Sequence, residues 1–147
     1  MSTPLVFKFG GASVKDAASV RNVAAIIARF SQRPMVVVVS AMGKMTNAFE
    51  GIVSAWSRGA TEEATRAIAE IRDFHFDIIK DLFEVPPAAL IEDLETLFTG
   101  LRASLSRREP SYSEQYDYIV HHGELMSTKI IASYVAQYTP TVWQDTR

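Results

Sequence analysis

Cysteine is absent from all 147 residues. Disulfides, thiolate-bound zinc and a cysteine nucleophile are therefore excluded, and a reducing compartment such as the cytoplasm is the expected location. Long hydrophobic runs are also missing. The longest, Met35-Val36-Val37-Val38-Val39, is far too short to cross a bilayer. The start, Met1-Ser2-Thr3-Pro4, has no basic segment leading into an apolar stretch, so no targeting segment is expected. No excess of one charge is present: 15 Lys and Arg stand against 17 Asp and Glu, a net charge of −2. Neither a nucleic-acid surface nor a basic membrane-binding patch is expected from that balance. No internal repeat and no low-complexity segment is visible.

What the chain does have is apolar patterning. Hydrophobic residues make up 48% of it, enough to expect a packed core. The length fits one domain or part of a larger one. Leu5 to Phe9 reads as a first strand. Val20, Val23, Ile26, Ile27 and Phe30 recur at helical spacing, which predicts a helix over 15–30. Ser13-Val14-Lys15-Asp16 before it resembles a capping box with Asp16 in the Glu position. After Arg33-Pro34, the β-branched run 35–39 reads as a strand buried on both faces. These elements make one β-α-β unit.

Four helical segments follow: about 46–58, 62–83, 90–105, and one resuming after Glu109-Pro110 that carries Ile119, Val120, Ile130 and Ile131. Ser111 and Glu114 fit a second capping box. Gly123 marks a kink or break in the last segment. Thr139 to Trp143 reads as a third strand. Three strands under this much helix make an unbalanced sheet, and the last one ends the chain. The expectation is a chain cut inside a domain, leaving an open strand edge and an uncovered apolar face.

Three patches fall at element ends, where α/β proteins place ligands. In the first, Lys8-Phe9-Gly10-Gly11-Ala12-Ser13, a lysine and two glycines lie between a strand and a helix start. Exposed amides, the helix dipole and a fixed cation there favour an anion, and a phosphate is the simplest. Glycines also close ordinary turns. The patch fits neither the P-loop nor the Gly-x-Gly-x-x-Gly pattern. The second, Ser40-Ala41-Met42-Gly43-Lys44-Met45-Thr46-Asn47, repeats that logic with two hydroxyls. Helix capping is the alternative role for Ser40 and Thr46. The third is His121-His122-Gly123-Glu124-Leu125-Met126-Ser127. Glu124 could receive an ammonium group or simply complement a helix dipole. Adjacent histidines do not face one another on a helix, so a metal site is not expected. His75, on the amphipathic stripe of its helix, reads as structural. No Gly-x-Ser-x-Gly elbow occurs.

Taken in order, these three patches closely resemble aspartate kinase (aspartokinase), of the amino-acid kinase superfamily, over essentially the whole chain. The resemblance implies a three-layer α/β/α sandwich, here truncated and helix-rich. It implies transfer of the ATP γ-phosphoryl group, with Mg2+ arriving on the nucleotide, to the side-chain carboxylate of L-aspartate. The product would be 4-phospho-L-aspartate, which feeds lysine, threonine and methionine biosynthesis. By resemblance, Lys8 neutralises charge on the transferring group and acts catalytically. Gly10, Gly11 and Ser13 line the phosphates. Ser40 and Thr46 line the aspartate pocket, and Glu124 holds the substrate amine. Ala12 stands where Thr is common in the family, and His121 where Ser is frequent. The family's later glycine-rich segment, its nucleotide-base site and its C-terminal ACT regulatory domains are not in these residues. Residues 1–147 are thus expected to be the N-terminal portion of one kinase domain, inactive alone and prone to self-association or homo-oligomer formation. The alternatives are another amino-acid kinase, for glutamate or carbamate, and a non-catalytic binding or assembly module on the same fold.

Overall fold

The computed structural model describes residues 3–107 and 111–146. The Glu109-Pro110 interruption and the terminal residues Met1, Ser2 and Arg147 lie outside them. Strand β1 (Leu5–Phe9) and strand β2 (Met35–Val39) pair in parallel, in a register that sets Leu5 beside Met35 and Phe9 beside Val39. Helix α1 (Ala17–Arg29) is the crossover between them. This is the expected β-α-β unit.

The start of α1 differs from the sequence expectation. Gly11–Val14 forms a single 3-10 turn first. That turn carries Val14 into the core, where it is fully buried. The helix then starts at Asp16, whose carboxylate accepts the Ser19 amide at 2.8 Å. Asp16 is therefore the cap itself, and Ser13 caps nothing. Hydrogen bonding from Ser19 holds the Asp16 carboxyl below the usual carboxylate range.

Among the described residues five helices follow: α2 (Met45–Ser57), α3 (Thr61–Leu82), α4 (Ala88–Ser104), α5 (Tyr112–Val120) and α6 (His122–Val135). Gly59 turns the chain between α2 and α3 at φ +71°. Arg72 on α3 pairs with Glu95 on α4 and lies 4.2 Å over the Phe76 ring. That guanidinium holds the Glu95 carboxyl below its ordinary range. The capping box at Ser111 and Glu114 forms as expected, starting α5. The break in the last helical segment falls at His121, not at Gly123. The core runs through Met42, Phe49, Ile68, Leu94, Phe98 and Ile130, all fully buried.

His75 is buried in this core, as its place on the apolar stripe implied. Its Nδ1 lies 2.8 Å from the Ile71 carbonyl, and its Nε2 has no partner. Burial pushes its pKa down to about 4. The ring is flanked by Phe74 and Phe98.

Two strand expectations are corrected. The run 35–39 is buried on one face only. Val36 and Val38 are 55% and 47% exposed, and Val6 on β1 is 71% exposed. Met35, Val37 and Val39 pack inward with the helices, and no described helix covers the opposite face. Residues 139–146 form no strand. Trp143 lies on α6 instead: its indole N–H donates to Thr128 Oγ1 at 3.0 Å, and Lys129 Nζ sits 4.0 Å from its ring centre. An aromatic anchor on a helix face, with no neighbouring strand to pair with, decides that course. Among the described residues no helix is long and apolar enough to cross a membrane.

Candidate active site

Parallel pairing brings the carboxyl ends of β1 and β2 to one edge, and the first two motifs with them. The Ser40 amide donates to the Phe9 carbonyl at 3.0 Å, carrying the ladder one step past β2. After Gly10 the chain turns into the 3-10 turn, closed by the Ser13 amide on the Gly10 carbonyl at 2.9 Å. The loop after β2 then folds back onto this turn. The Gly43 amide donates to the Gly11 carbonyl at 2.9 Å, and Gly43 adopts φ +54°, which glycine tolerates without strain. A Cβ on Gly11 would lie 2.7 Å from the Gly43 oxygen and 2.8 Å from the Ala41 oxygen. Close approach of two backbones, not φ, requires glycine at 11.

Helix α6 closes the third side. Its first turn brings Gly123 so near the second loop that a Cβ there would lie 3.1 Å from the Ala41 Cβ. One turn later the Ser127 hydroxyl donates to the Ser40 carbonyl at 2.8 Å. Backbone hydrogen bonds, the Ser127 side-chain bond and close packing thus join segments 8–13, 40–47 and 121–127 at the carboxyl edge of the sheet.

Each expected site residue has a definite place. Lys8 is on the open face of the sheet, beside Val38 in the register, two residues before the glycine turn. Gly10 has open space around it. Ser13 is exposed in the 3-10 turn. Ser40 is half-buried, Thr46 is exposed at the second residue of α2, and Glu124 is exposed in the first turn of α6. Neither Ser40 nor Thr46 caps α2, whose cap position is Lys44 and has no side-chain bond. Hydrogen bonds and packing link Gly11 and Ser40 to their neighbours directly. Lys8, Ser13, Thr46 and Glu124 sit on the joined segments, but their side chains make no hydrogen bond or ion pair to the described protein.

The edge therefore offers free hydroxyls, a free cation and a free carboxylate. It also offers first-turn amides at two helix starts without side-chain caps, at Gly10 and Lys44. Such amides and the lysines suit phosphate oxygens. A carboxylate and two hydroxyls suit a small zwitterion. His121 and His122 point their Nδ1 atoms at the Asp117 and Tyr118 carbonyls, at 2.8 and 2.7 Å. Among the described residues no group of three His, Cys, Asp or Glu is placed to hold a metal ion.

Sequence reasoning placed Ser127, Gly123 and Gly43 within the patches but gave them no part in joining one patch to another. A signal existed for the first two. Small residues at 123 and 127 lie one helical turn apart on one face of α6, where another backbone can approach.

A parallel β-α-β edge with this loop arrangement defines a class, and the sequence agrees. The profile of the Amino acid kinase family matches residues 3–142, and the chain belongs to that family. Within it, the similar proteins are aspartokinases. Aspartokinase 1, chloroplastic, of Arabidopsis thaliana is 36% identical over 134 residues, covering 88% of this chain and 23% of that protein. A bifunctional aspartokinase/homoserine dehydrogenase 1 of Zea mays is 31% identical, covering 97% of this chain and 16% of that protein. Among solved structures, E. coli aspartokinase III in complex with lysine and aspartate superposes with a TM-score of 0.71 at 28% identity, over 88% of this chain and 28% of that one. The same enzyme with aspartate and ADP gives 0.67 at 26% identity, over 92% of this chain and 29% of that one. The α/β amino-acid kinase fold expected from the motifs is borne out. This chain spans less than a third of each of these relatives.

Proposed function

We propose that this chain is the N-terminal portion of an aspartate kinase domain, supplying the L-aspartate pocket and part of the phosphate cradle. The observation that carries the reading is the pair of bonds Ser127 to Ser40 and Gly43 to Gly11, which unite three sequence-distant motifs at one sheet edge. The similar E. coli enzyme is known with aspartate and ADP, which supports the same two ligands here.

In this reading Glu124 receives the α-ammonium of L-aspartate, and Ser40 and Thr46 donate to its carboxylates. The side-chain carboxylate is thereby aimed at the glycine turn. The amides of that turn, with Ser13 beside them, hold phosphate oxygens of ATP. Lys8 balances the charge that builds on the transferring phosphoryl group. Mg2+ arrives on the nucleotide phosphates. Little covalent chemistry is asked of the protein, because positioning and charge balance carry phosphoryl transfer. The product is an acyl phosphate, 4-phospho-L-aspartate. The cytoplasm is the proposed compartment, and the open sheet face around Val6, Val36 and Val38 is the proposed surface for self-association.

Acyl phosphate formation from ATP, Mg2+ and L-aspartate, trapped with hydroxylamine, tests this. The 147-residue chain alone is expected to give no product. A protein joining it to the remaining kinase segment is expected to give product with L-aspartate but not with L-glutamate, and to lose it on Lys8→Ala. Turnover by the chain alone would overturn the assignment of the ATP site to residues outside it. Equal turnover with L-glutamate would overturn the substrate.

A further inference from the structure

We infer that Ser127 is a positioning residue for the substrate pocket: its buried hydroxyl ties the Ser40 carbonyl to α6 and so sets the spacing between Ser40 and Glu124. This rests on the reading that Ser40 and Glu124 hold L-aspartate.

Serine and threonine inside helices usually turn the hydroxyl back onto a carbonyl of their own helix. Other helix hydroxyls of this chain do so. Thr128 bonds the Leu125 carbonyl at 3.0 Å, Ser104 the Leu101 carbonyl at 2.7 Å, and Thr65 the Thr61 carbonyl at 2.8 Å. Ser127 is fully buried, yet it reaches out of α6 to an oxygen 87 residues away in sequence. Its target is held at its other end too, because the Ser40 amide donates to Phe9 at 3.0 Å. The Ser40 backbone is thus clamped between β1 and α6, while its own hydroxyl stays without a protein partner. Gly123, one turn before Ser127, packs on Ala41 next to Ser40. Glu124 adjoins that contact and lies three residues before Ser127, on the neighbouring strip of the helix. The Ser127 hydroxyl thus supplies the hydrogen bond that references one side of the pocket to the other, beside the packing of Gly123 on Ala41.

The test is L-aspartate titration of the 15N-labelled chain, followed at the Ser40 and Glu124 amides, for wild type, Ser127→Cys, Ser127→Ala and Ser104→Ala. Ser104 is the control, a fully buried hydroxyl away from the pocket that donates to the Leu101 carbonyl of its own helix and accepts from Gln115 Nε2 at 3.4 Å. Loss of one buried hydrogen bond to the pocket should weaken aspartate binding about tenfold in Ser127→Ala. Ser127→Cys, with its weaker donor, should fall between, and it leaves no cavity should the alanine variant fail to fold. Ser104→Ala should bind as wild type does although it also loses stability. Wild-type affinity in both Ser127 variants would overturn the positioning role while leaving the site reading intact. Equal weakening in Ser104→Ala would overturn it as well, by reducing the effect to general stability. No response to L-aspartate in the wild-type chain would overturn the site reading, and the positioning role with it.

Discussion

Replacing Gly11 by alanine should loosen the joint between the two loops, and the structure sets the size of the effect. The added Cβ would stand 2.7 Å from the Gly43 oxygen and 2.8 Å from the Ala41 oxygen. An ordinary carbon–oxygen contact is about 3.3 Å or more. Both obstacles are backbone atoms, so no side chain can swing away. The loop must move by roughly half an ångström, and the Gly43-to-Gly11 hydrogen bond stretches with it. Overpacking of this kind costs about 1–3 kcal/mol, and a strained hydrogen bond adds up to about 1. The smaller unfolded-state entropy of alanine returns about 0.5. A net loss of about 2 kcal/mol is expected. Gly10→Ala is the built-in comparison, because nothing lies within 4 Å of a Cβ there. Urea unfolding should give a clearly lower midpoint for Gly11→Ala at unchanged slope, and a near wild-type midpoint for Gly10→Ala. Equal midpoints for the two variants would refute the close-approach argument.

Three further outcomes are expected. His75 has a folded-state pKa of about 4 against an ordinary 6.5. The folded form therefore resists the proton, and its contribution is complete above pH 6.5 and lost as pH falls toward 4. At about 1.4 kcal/mol per pH unit this is about 3 kcal/mol, seen as the difference between wild-type and His75→Leu stability curves against pH; parallel curves would contradict it. Gly51 lies exposed inside α2 with open space at its Cβ position, so Gly51→Ala should raise stability by about 1 kcal/mol in the same urea assay. The open apolar face at Val6, Val36 and Val38 should make the chain associate, and multi-angle light scattering showing only monomer at high concentration would count against that.

Much of this was legible because local chemistry and tertiary context agree. The apolar stripes of α3 and α4 gave those helices to within two residues. Ser111 and Glu114 announced α5 by the bonds they make. The family followed from the three motifs, and the β-α-β reading put the first two of them on one sheet edge. The misses share a cause: local patterns that tertiary context overrode. Met35 to Val39 is apolar throughout, so its sequence could not show that Val36 and Val38 face outward. Residues 139–143 have strand composition, but Trp143 found α6 rather than a partner strand. Ser13 and Asp16 both suit a helix start, and burial of Val14 decided between them. Ser127 stood in the third patch, but its hydroxyl's direction is set by a loop 87 residues away, which spacing along α6 does not show.

The most direct test of the central claim is the pattern of amide shifts in the wild-type chain when L-aspartate is added, with L-glutamate as comparison. Ser40, Thr46 and Glu124 are expected to respond together, with one shared affinity, and L-glutamate at equal concentration to leave them in place. Shifts confined to one of the three, or elsewhere on the molecule, would mean that the edge uniting these motifs is not a substrate pocket.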